Sequence, residues 1–372
     1  MQNINIKNDL QRLKGIRADK VLTGPRSVSI GISRECNLSC KYCLGRPFDD
    51  FKPLKKEERS PFITMADFIK IVEDCSLLGV EHITLCGGEP TLHPDIRQMI
   101  AWIIKKKMRV SLNTNGTFNA DLRKVLQSVT ALNINVAATS HEDYRRLQGG
   151  GREVFNRVLR NIKALAGNKR ISRQPLINIV YVLNNSNVEQ AGEIIALAEK
   201  IGADSVQFKI MRFNKGLKDL AILEPDARKL KEIVQKIVRN GEYRQVKTNL
   251  RQICRVLLDS RFSKDCETEN FYGMFEGGLY FSRAFKKDFK CYYGWFSADI
   301  GPWGHVFLCC TNRLTYIGNI YEDPFKKIWN SRYAHKIRLA MKNKFEVNRK
   351  FWKPCHYCSS ISFNTAVGSF CR

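Results

Sequence analysis

Three cysteines fall within eight residues, Cys36-Asn-Leu-Ser-Cys40-Lys-Tyr-Cys43, in a CxxxCxxC spacing. Thiolates this crowded can ligate three irons of a cubane and leave the fourth iron without a protein ligand. Such an open iron can chelate the amino and carboxylate groups of a small molecule and, when the cluster is reduced, pass it one electron. Structural zinc is the competing reading, but it wants four ligands set as paired CxxC or Cys/His groups. The next cysteine, Cys75, lies in a helical pattern and the first histidine is His82, so nothing local completes a tetrahedral set.

A second group of thiols, Cys291, Cys309, Cys310, Cys355, Cys358 and Cys371, lies in the last quarter of the chain. Four thiolates drawn from it can fill a cubane, which makes a closed structural or electron-transferring cluster; zinc on four cysteines competes. Thirteen cysteines clustered in this way fit metal ligation in a reducing compartment better than a disulfide framework. Cys75, Cys254 and Cys266 stand alone and read as small buried apolar residues.

The elements that must position these residues alternate between two periods. SVSIGIS (27 to 33), HITLC (82 to 86), RVSLNT (109 to 114), ALNINVAAT (131 to 139), INIVYVL (177 to 183) and DSVQFKI (204 to 210) read as strands. Between them, Thr64 to Leu78, Asp95 to Lys107, Arg152 to Ala166 and Val188 to Ile201 carry helical periodicity. Six such units predict an α/β fold, a partial (β/α)6 TIM-type barrel, although a doubly wound sheet has the same alternation. The CxxxCxxC loop leaves the end of the first strand, where active sites of parallel barrels lie. The second strand ends at the same rim in Cys86-Gly87-Gly88-Glu89-Pro90. Its glycines admit close approach of a ligand, and its carboxylate can accept hydrogen bonds from an ammonium group.

With these two motifs one βα unit apart, the chain resembles the radical S-adenosylmethionine (SAM) superfamily from about residue 25 to 215. The resemblance implies that Cys36, Cys40 and Cys43 ligate a catalytic three-cysteine [4Fe-4S] cluster and that Tyr42 lies near the adenine of SAM. It implies that Gly87, Gly88 and Glu89 hold the methionine amino group. Asn113-Thr114-Asn115-Gly116 is similar to the TNG segment of the superfamily, which makes Asn115 a cofactor contact; Ser140 and Asn184, ending the fourth and fifth strands, are candidates of the same kind, with ordinary polar loop residues as the alternative. Gly304-x4-Cys309, Gly318-Asn319-Ile320 and Ile328-Trp329-Asn330-Ser331 resemble the auxiliary-cluster extension called SPASM. After Cys358 the next cysteine is Cys371, so the shorter twitch relative, with one auxiliary [4Fe-4S] cluster, is the closer match. The resemblance then assigns Cys291, Cys309, Cys355 and Cys358 as a second, four-cysteine ligand set and leaves Cys310 and Cys371 spare.

The expected organisation is a lead-in over 1–24, a radical SAM core over 25–240, a linker or insert over 241–290 and a SPASM/twitch-like domain over 291–372. No apolar stretch approaches the roughly 20 residues of a membrane helix and the N-terminus lacks a secretory h-region, so a cytoplasmic protein without membrane insertion is expected. A formal net charge of +26 would suit a polyanion, but cluster thiolates lower it and the basic residues are dispersed. A nucleic-acid partner is therefore not favoured, and the basic stretch from 332 to 353 reads as a solvated face.

The resemblance implies oxidative modification, by dehydrogenation or crosslinking, of a peptide or small polar metabolite, with an external one-electron reductant of flavodoxin or ferredoxin type. Redox-neutral epimerisation with a spare thiol as hydrogen donor, radical modification of an anionic substrate, and a non-catalytic iron–sulfur electron-transfer scaffold are the alternatives.

Overall fold

The computed structural model describes residues 6–43, 60–167, 174–211, 215–240, 245–257, 290–310, 312–343 and 367–371. In chain order the elements are α1 (Ile6–Arg17), β1 (Ser27–Ser33), α2 (Met65–Leu77), β2 (His82–Gly87), α3 (Ile96–Lys105), β3 (Arg109–Thr114), α4 (Arg123–Leu126), β4 (Ala131–Asn135) and α5 (His141–Gln148). They continue as α6 (Arg152–Gly167), β5 (Leu176–Leu183), α7 (Ala191–Ile201), β6 (Ser205–Ile210), α8 (Glu224–Asn240), β7 (Lys247–Thr248) and α9 (Leu250–Leu257). The last quarter adds β8 (Ser297–Ile300), β9 (His305–Phe307), β10 (Tyr316–Asn319), α10 (Phe325–Trp329) and α11 (Arg332–Lys342). All six expected strands and the expected helices are present, within a few residues of their expected ends.

Two compact units divide the chain. One gathers Met1–Glu35, Pro53–Ser111 and Arg283–Arg372; the other gathers Cys36–Lys52 and Leu112–Ser282.

In the first unit β1 pairs in parallel with β2, from Ser27 opposite His82 to Gly31 opposite Cys86. The other edge of β1 pairs in parallel with β8, and β8, β9 and β10 follow as an antiparallel meander. Val28, Ile30 and Ile32 alternate along β1 with no exposure, as a strand with one apolar face requires. Thr64 caps α2 by accepting from Asp67 N–H, and Phe68, Ile71, Val72 and Cys75 form its buried stripe. Helix α1, which the sequence pattern left unread, is part of this core. Its Ile16 packs with Tyr292, Trp295, Phe296 and Val367. Its Arg12, 1% exposed, donates to the Gly24 carbonyl at 3.0 Å and pairs with Asp9 and Glu81 at 2.7 and 3.1 Å. A guanidinium this buried is retained only with such compensation.

In the second unit β4, β5, β6 and β7 form a parallel sheet in chain order, with Asn133 opposite Asn178 and Asn178 opposite Ser205. Leu132, Ile134, Ile177, Ile179, Val206 and Phe208 are at most 1% exposed, as are Val158 and Ile162 of α6 and Ile194 and Ile195 of α7. Among the alternate strand positions Asn133, Asn135, Asn178 and Ser205 are half-buried and Gln207 and Lys209 exposed, while Val180 and Val182 of β5 are apolar. No helix among the described residues is long and apolar enough to cross a membrane.

Candidate active site

The CxxxCxxC loop belongs to the second unit and is tied down along its length. Asn37 donates to Thr117 Oγ1 at 2.8 Å and accepts from Asn115 Nδ2 at 2.8 Å, while Asn115 Oδ1 accepts from the Thr117 N–H and hydroxyl at 2.9 and 2.7 Å. The same Asn115 Nδ2 lies 3.9 Å from Cys36 Sγ. Further on, the N–H groups of Ser39 and Lys41 donate to the carbonyls of Gln148 and Leu147 at the end of α5. Gly149, with φ of 78°, ends that helix so close beneath the loop that a Cβ would come within 2.0 Å of Ser39 Oγ. Tyr42 is buried and its hydroxyl donates to Asn135 Oδ1 on β4 at 2.7 Å. Burial pushes the Tyr42 phenol well up, which keeps it a hydrogen-bond donor.

The three thiols suit a polycationic cluster. Burial, then the charges of Cys43 and Cys36, push the Cys40 thiol up to about 12, so three bare thiolates are strongly disfavoured. Iron cations on the sulfurs remove that penalty and displace the protons. Among the described residues no three His, Cys, Asp or Glu side chains converge where a single metal ion would sit.

Gly87, Gly88 and Glu89 form a tight cradle in the first unit. Gly87 has φ of 129°, and a Cβ there would stand 2.2 Å from the Ser33 carbonyl oxygen; one on Gly88 would stand 2.1 Å from that of Glu35. The backbones lock instead through Gly88 N–H to Ser33 O and Glu89 N–H to Glu35 O, both 2.7 Å. Only glycine permits this approach. The fully buried Glu89 carboxylate is oriented by Thr91, whose N–H and hydroxyl donate to Oε1 at 3.0 and 2.6 Å. Glu35, gripped by this cradle, directly precedes Cys36 in the chain.

Of the weaker candidates, Asn115 contacts the cluster loop, as described. Ser140 caps α5 by accepting from Asp143 N–H. Asn184 is fully buried; its Oδ1 accepts from the Ser186 N–H and hydroxyl, and its Nδ2 donates to the Val182 carbonyl. In the C-terminal set Cys291 is buried, with its N–H on the Met341 carbonyl, and Cys309 is half-buried. Cys310 is exposed, and Cys371 packs against the Ile16–Trp295 cluster. Cys355 and Cys358 lie outside the described residues. Gly304, with φ of 80°, faces Asn319 and Tyr321 where a Cβ would clash, which accounts for glycine in that motif.

Several supporting residues carried no sequence signal strong enough to single them out. Asn37, Thr117, Asn135 and Gln148 hold the loop through contacts distant in sequence. Asn161, on the apolar stripe of α6, donates to the carbonyls of Gly116 and Phe118 at 2.9 and 2.8 Å and so fixes the TNG turn. A carboxamide interrupting an apolar helical face is the one signal that could have found it.

Comparison with known proteins agrees with this arrangement. The family model of the radical SAM superfamily matches residues 30–198, and that of the iron–sulfur cluster-binding SPASM domain matches residues 291–359, which include Cys291, Cys309, Cys355 and Cys358. Among curated proteins, the GTP 3′,8-cyclase of Clostridium perfringens is 25% identical over 218 residues, 57% of this chain and 64% of its own length. A "probable GTP 3′,8-cyclase" of Saccharolobus solfataricus is 27% identical over 214 residues, 56% of this chain. The match thus spans less than two thirds of these relatives. Among solved structures, SuiB of Streptococcus suis bound to S-adenosylmethionine superposes with a TM-score of 0.62 at 17% identity, covering 90% of this chain and 72% of SuiB. A structure of anSMEcpe with bound AdoMet and a peptide gives 0.56 at 17% identity, covering 92% and 97% of the two chains. These likenesses support the fold, an α/β core of parallel βα units followed by a cysteine-rich terminal domain. The chain therefore carries a radical SAM domain over residues 30–198 and a C-terminal SPASM iron–sulfur domain over residues 291–359.

Proposed function

We propose that this enzyme carries out SAM-dependent oxidative modification, dehydrogenation or crosslinking, of a peptide or small polar metabolite. The observation that carries the reading is the pairing of a pre-shaped CxxxCxxC loop with a second, separate cysteine set in one chain. Cys36, Cys40 and Cys43 hold the catalytic [4Fe-4S] cluster. Cys291, Cys309, Cys355 and Cys358 hold the auxiliary one. When bound, SAM and the clusters supply a 5′-deoxyadenosyl radical that removes a hydrogen atom from the substrate and a sink for the electron left behind.

The protein's own groups bind and orient. The Gly87–Gly88 backbone makes room for the methionine end of SAM, and the buried Glu89 carboxylate accepts from its ammonium group. Tyr42, fixed by Asn135, gives the adenine an apolar face beside the cluster loop. The hydrogen bonds from Asn37, Ser39, Lys41 and Tyr42 hold the thiols before iron arrives, so less conformational entropy is lost when the cluster is assembled.

The likeness to GTP 3′,8-cyclases supports a second reading, radical cyclisation of a nucleotide. The first is favoured by Asn133, Asn135, Asn178 and Ser205, polar and uncharged side chains on one strand face of the second unit. Anaerobic reconstitution, iron and sulfide counting, and detection of 5′-deoxyadenosine after reduction with SAM test both readings at their root. Cys40→Ala is expected to abolish the product, and full activity in that variant would overturn the assignment.

A further inference from the structure

A row of carboxamides crosses the open face of the second unit. Ser205 Oγ donates to Asn178 Oδ1 at 2.7 Å, Asn178 Nδ2 donates to Asn133 Oδ1 at 3.0 Å, and Asn133 Nδ2 donates to Asn113 Oδ1 at 2.8 Å. The chain of hydrogen bonds runs one way, from β6 through β5 and β4 to β3, and ends on exposed Asn113. Asn133, Asn178 and Ser205 lie in register on neighbouring strands, and a polar row of this kind is no device for stability. The opposite face of the same strands buries Leu132, Ile134, Ile177, Ile179, Val206 and Phe208, and apolar residues here would serve a closed core better.

The position of the row is informative. Asn113 lies two residues before Asn115, which contacts Cys36 and Asn37. Asn133 lies two residues before Asn135, which holds Tyr42. A two-residue step along β4 is about 7 Å and returns to the same face, so Asn133 lies one step from the residue that holds Tyr42.

Its chemistry is selective. Each asparagine keeps a donor and an acceptor lone pair beyond the ladder bonds, the complement of a peptide amide. On this face of β4 to β7, among the described residues, the register places cations only at Lys209 and, beside Ser205, at Lys247. Both are on β6 and β7; Lys209 stands opposite Val182, which packs with Cys40 against the Tyr42 cluster, so the register brings a single cation near the cluster loop. A triphosphate near the cluster loop would ask for several cations there.

We propose that Asn113, Asn133, Asn178 and Ser205 form the substrate-docking floor of the enzyme and that it takes an extended, uncharged peptide segment through its backbone amides. This rests on the radical SAM reading above and narrows its substrate class. The test uses the reconstituted holoenzyme, first checked for 5′-deoxyadenosine formation with SAM; absence of that product would count against the broader reading, not against the floor. A display library of randomised dodecapeptides is then selected on wild type, on Asn133→Leu/Asn178→Leu and, in case the double variant melts early, on the surface change Asn113→Asp. Wild type should enrich a shared sequence pattern, and each folded variant should retain those peptides at least about tenfold less well, near 1.4 kcal/mol. Millimolar GTP should not displace them. No enrichment on wild type, equal retention by the variants, or displacement by GTP would overturn the proposal.

Discussion

Replacing Gly88 with alanine is the most direct probe of the cradle. The new Cβ would stand 2.1 Å from the Glu35 carbonyl oxygen, where ordinary contact begins at 3.4 Å, so one backbone must retreat by more than an ångström. The obstructing atom is main chain, which cannot rotate away as a side chain would. Retreat breaks the Gly88 N–H to Ser33 and Glu89 N–H to Glu35 hydrogen bonds, both 2.7 Å. Each lost bond that leaves its buried partners unsatisfied costs about 1–3 kcal/mol, so the variant should lose about 2–6 kcal/mol of unfolding free energy. Urea unfolding of the apo protein measures this, and calorimetry of SAM on the reconstituted protein should show a parallel loss of affinity, because Glu89 moves with its backbone. Gly167→Ala, at the last residue of α6, is the control: its Cβ meets nothing within 4 Å among the described residues, so the change should stay within about 0.5 kcal/mol of wild type. If Gly88→Ala unfolds and binds SAM as wild type does, the close-approach argument for this motif is wrong.

Other consequences follow from the same contacts. Tyr42→Phe removes the donor to Asn135 Oδ1 and should cost about 1–2 kcal/mol in urea unfolding, with faster release of iron from the reconstituted protein read by absorbance. Asn161→Leu leaves the Gly116 and Phe118 carbonyls without their donor and should cost about 2–4 kcal/mol in the same measurement. Asn115→Leu takes an N–H away from Cys36 Sγ and should shift the reduction potential of the catalytic cluster downward, as read by a spectroscopic redox titration; an unchanged potential would show that the contact does not reach the sulfur. Burial, then the Arg109 and Arg26 charges, hold His82 down at about 4. The unfolded chain therefore binds the extra proton first as pH falls from about 6.5 to 4, so this stability, complete above 6.5, should decline by ~2 kcal/mol at pH 5. His82→Gln should flatten that slope in denaturation curves of the apo protein.

The βα core was legible because its signals are local. Val28, Ile30 and Ile32 alternate over a few residues, and the stripe Phe68, Ile71, Val72 and Cys75 repeats within one helix between Thr64 and Gly79. Helix α1 was not legible. Its isolated apolar residues among Asn, Lys, Arg and Asp resemble a solvated lead-in, and only the distant Tyr292, Trp295 and Phe296 explain why Ile16 is buried. Strand β8 escaped for the same reason, since Ser297–Ile300 is short and becomes a strand by pairing with β1.

The site divides along the same line. Cysteine spacing and Gly-Gly-Glu single out the groups proposed to hold the cluster and SAM, because coordination and close backbone approach each demand particular residue types within a short span. What holds those groups is chosen by distance in space, and many residue types can supply one hydrogen bond. Asn37 reaches Thr117, 80 positions away, Tyr42 reaches Asn135, 93 away, and Cys40 lies against the Gln148 carbonyl, 108 away. Asn113, Asn133 and Asn178 likewise read as three unrelated polar residues until strand register sets them side by side. A chain can therefore state its reaction class in two short motifs while its choice of substrate stays in contacts that form only once the strands have paired. That is why relatives at 25–27% identity can share the first without sharing the second, and why the carboxamide row, rather than the cysteine motif, is the place to look for what this enzyme acts on.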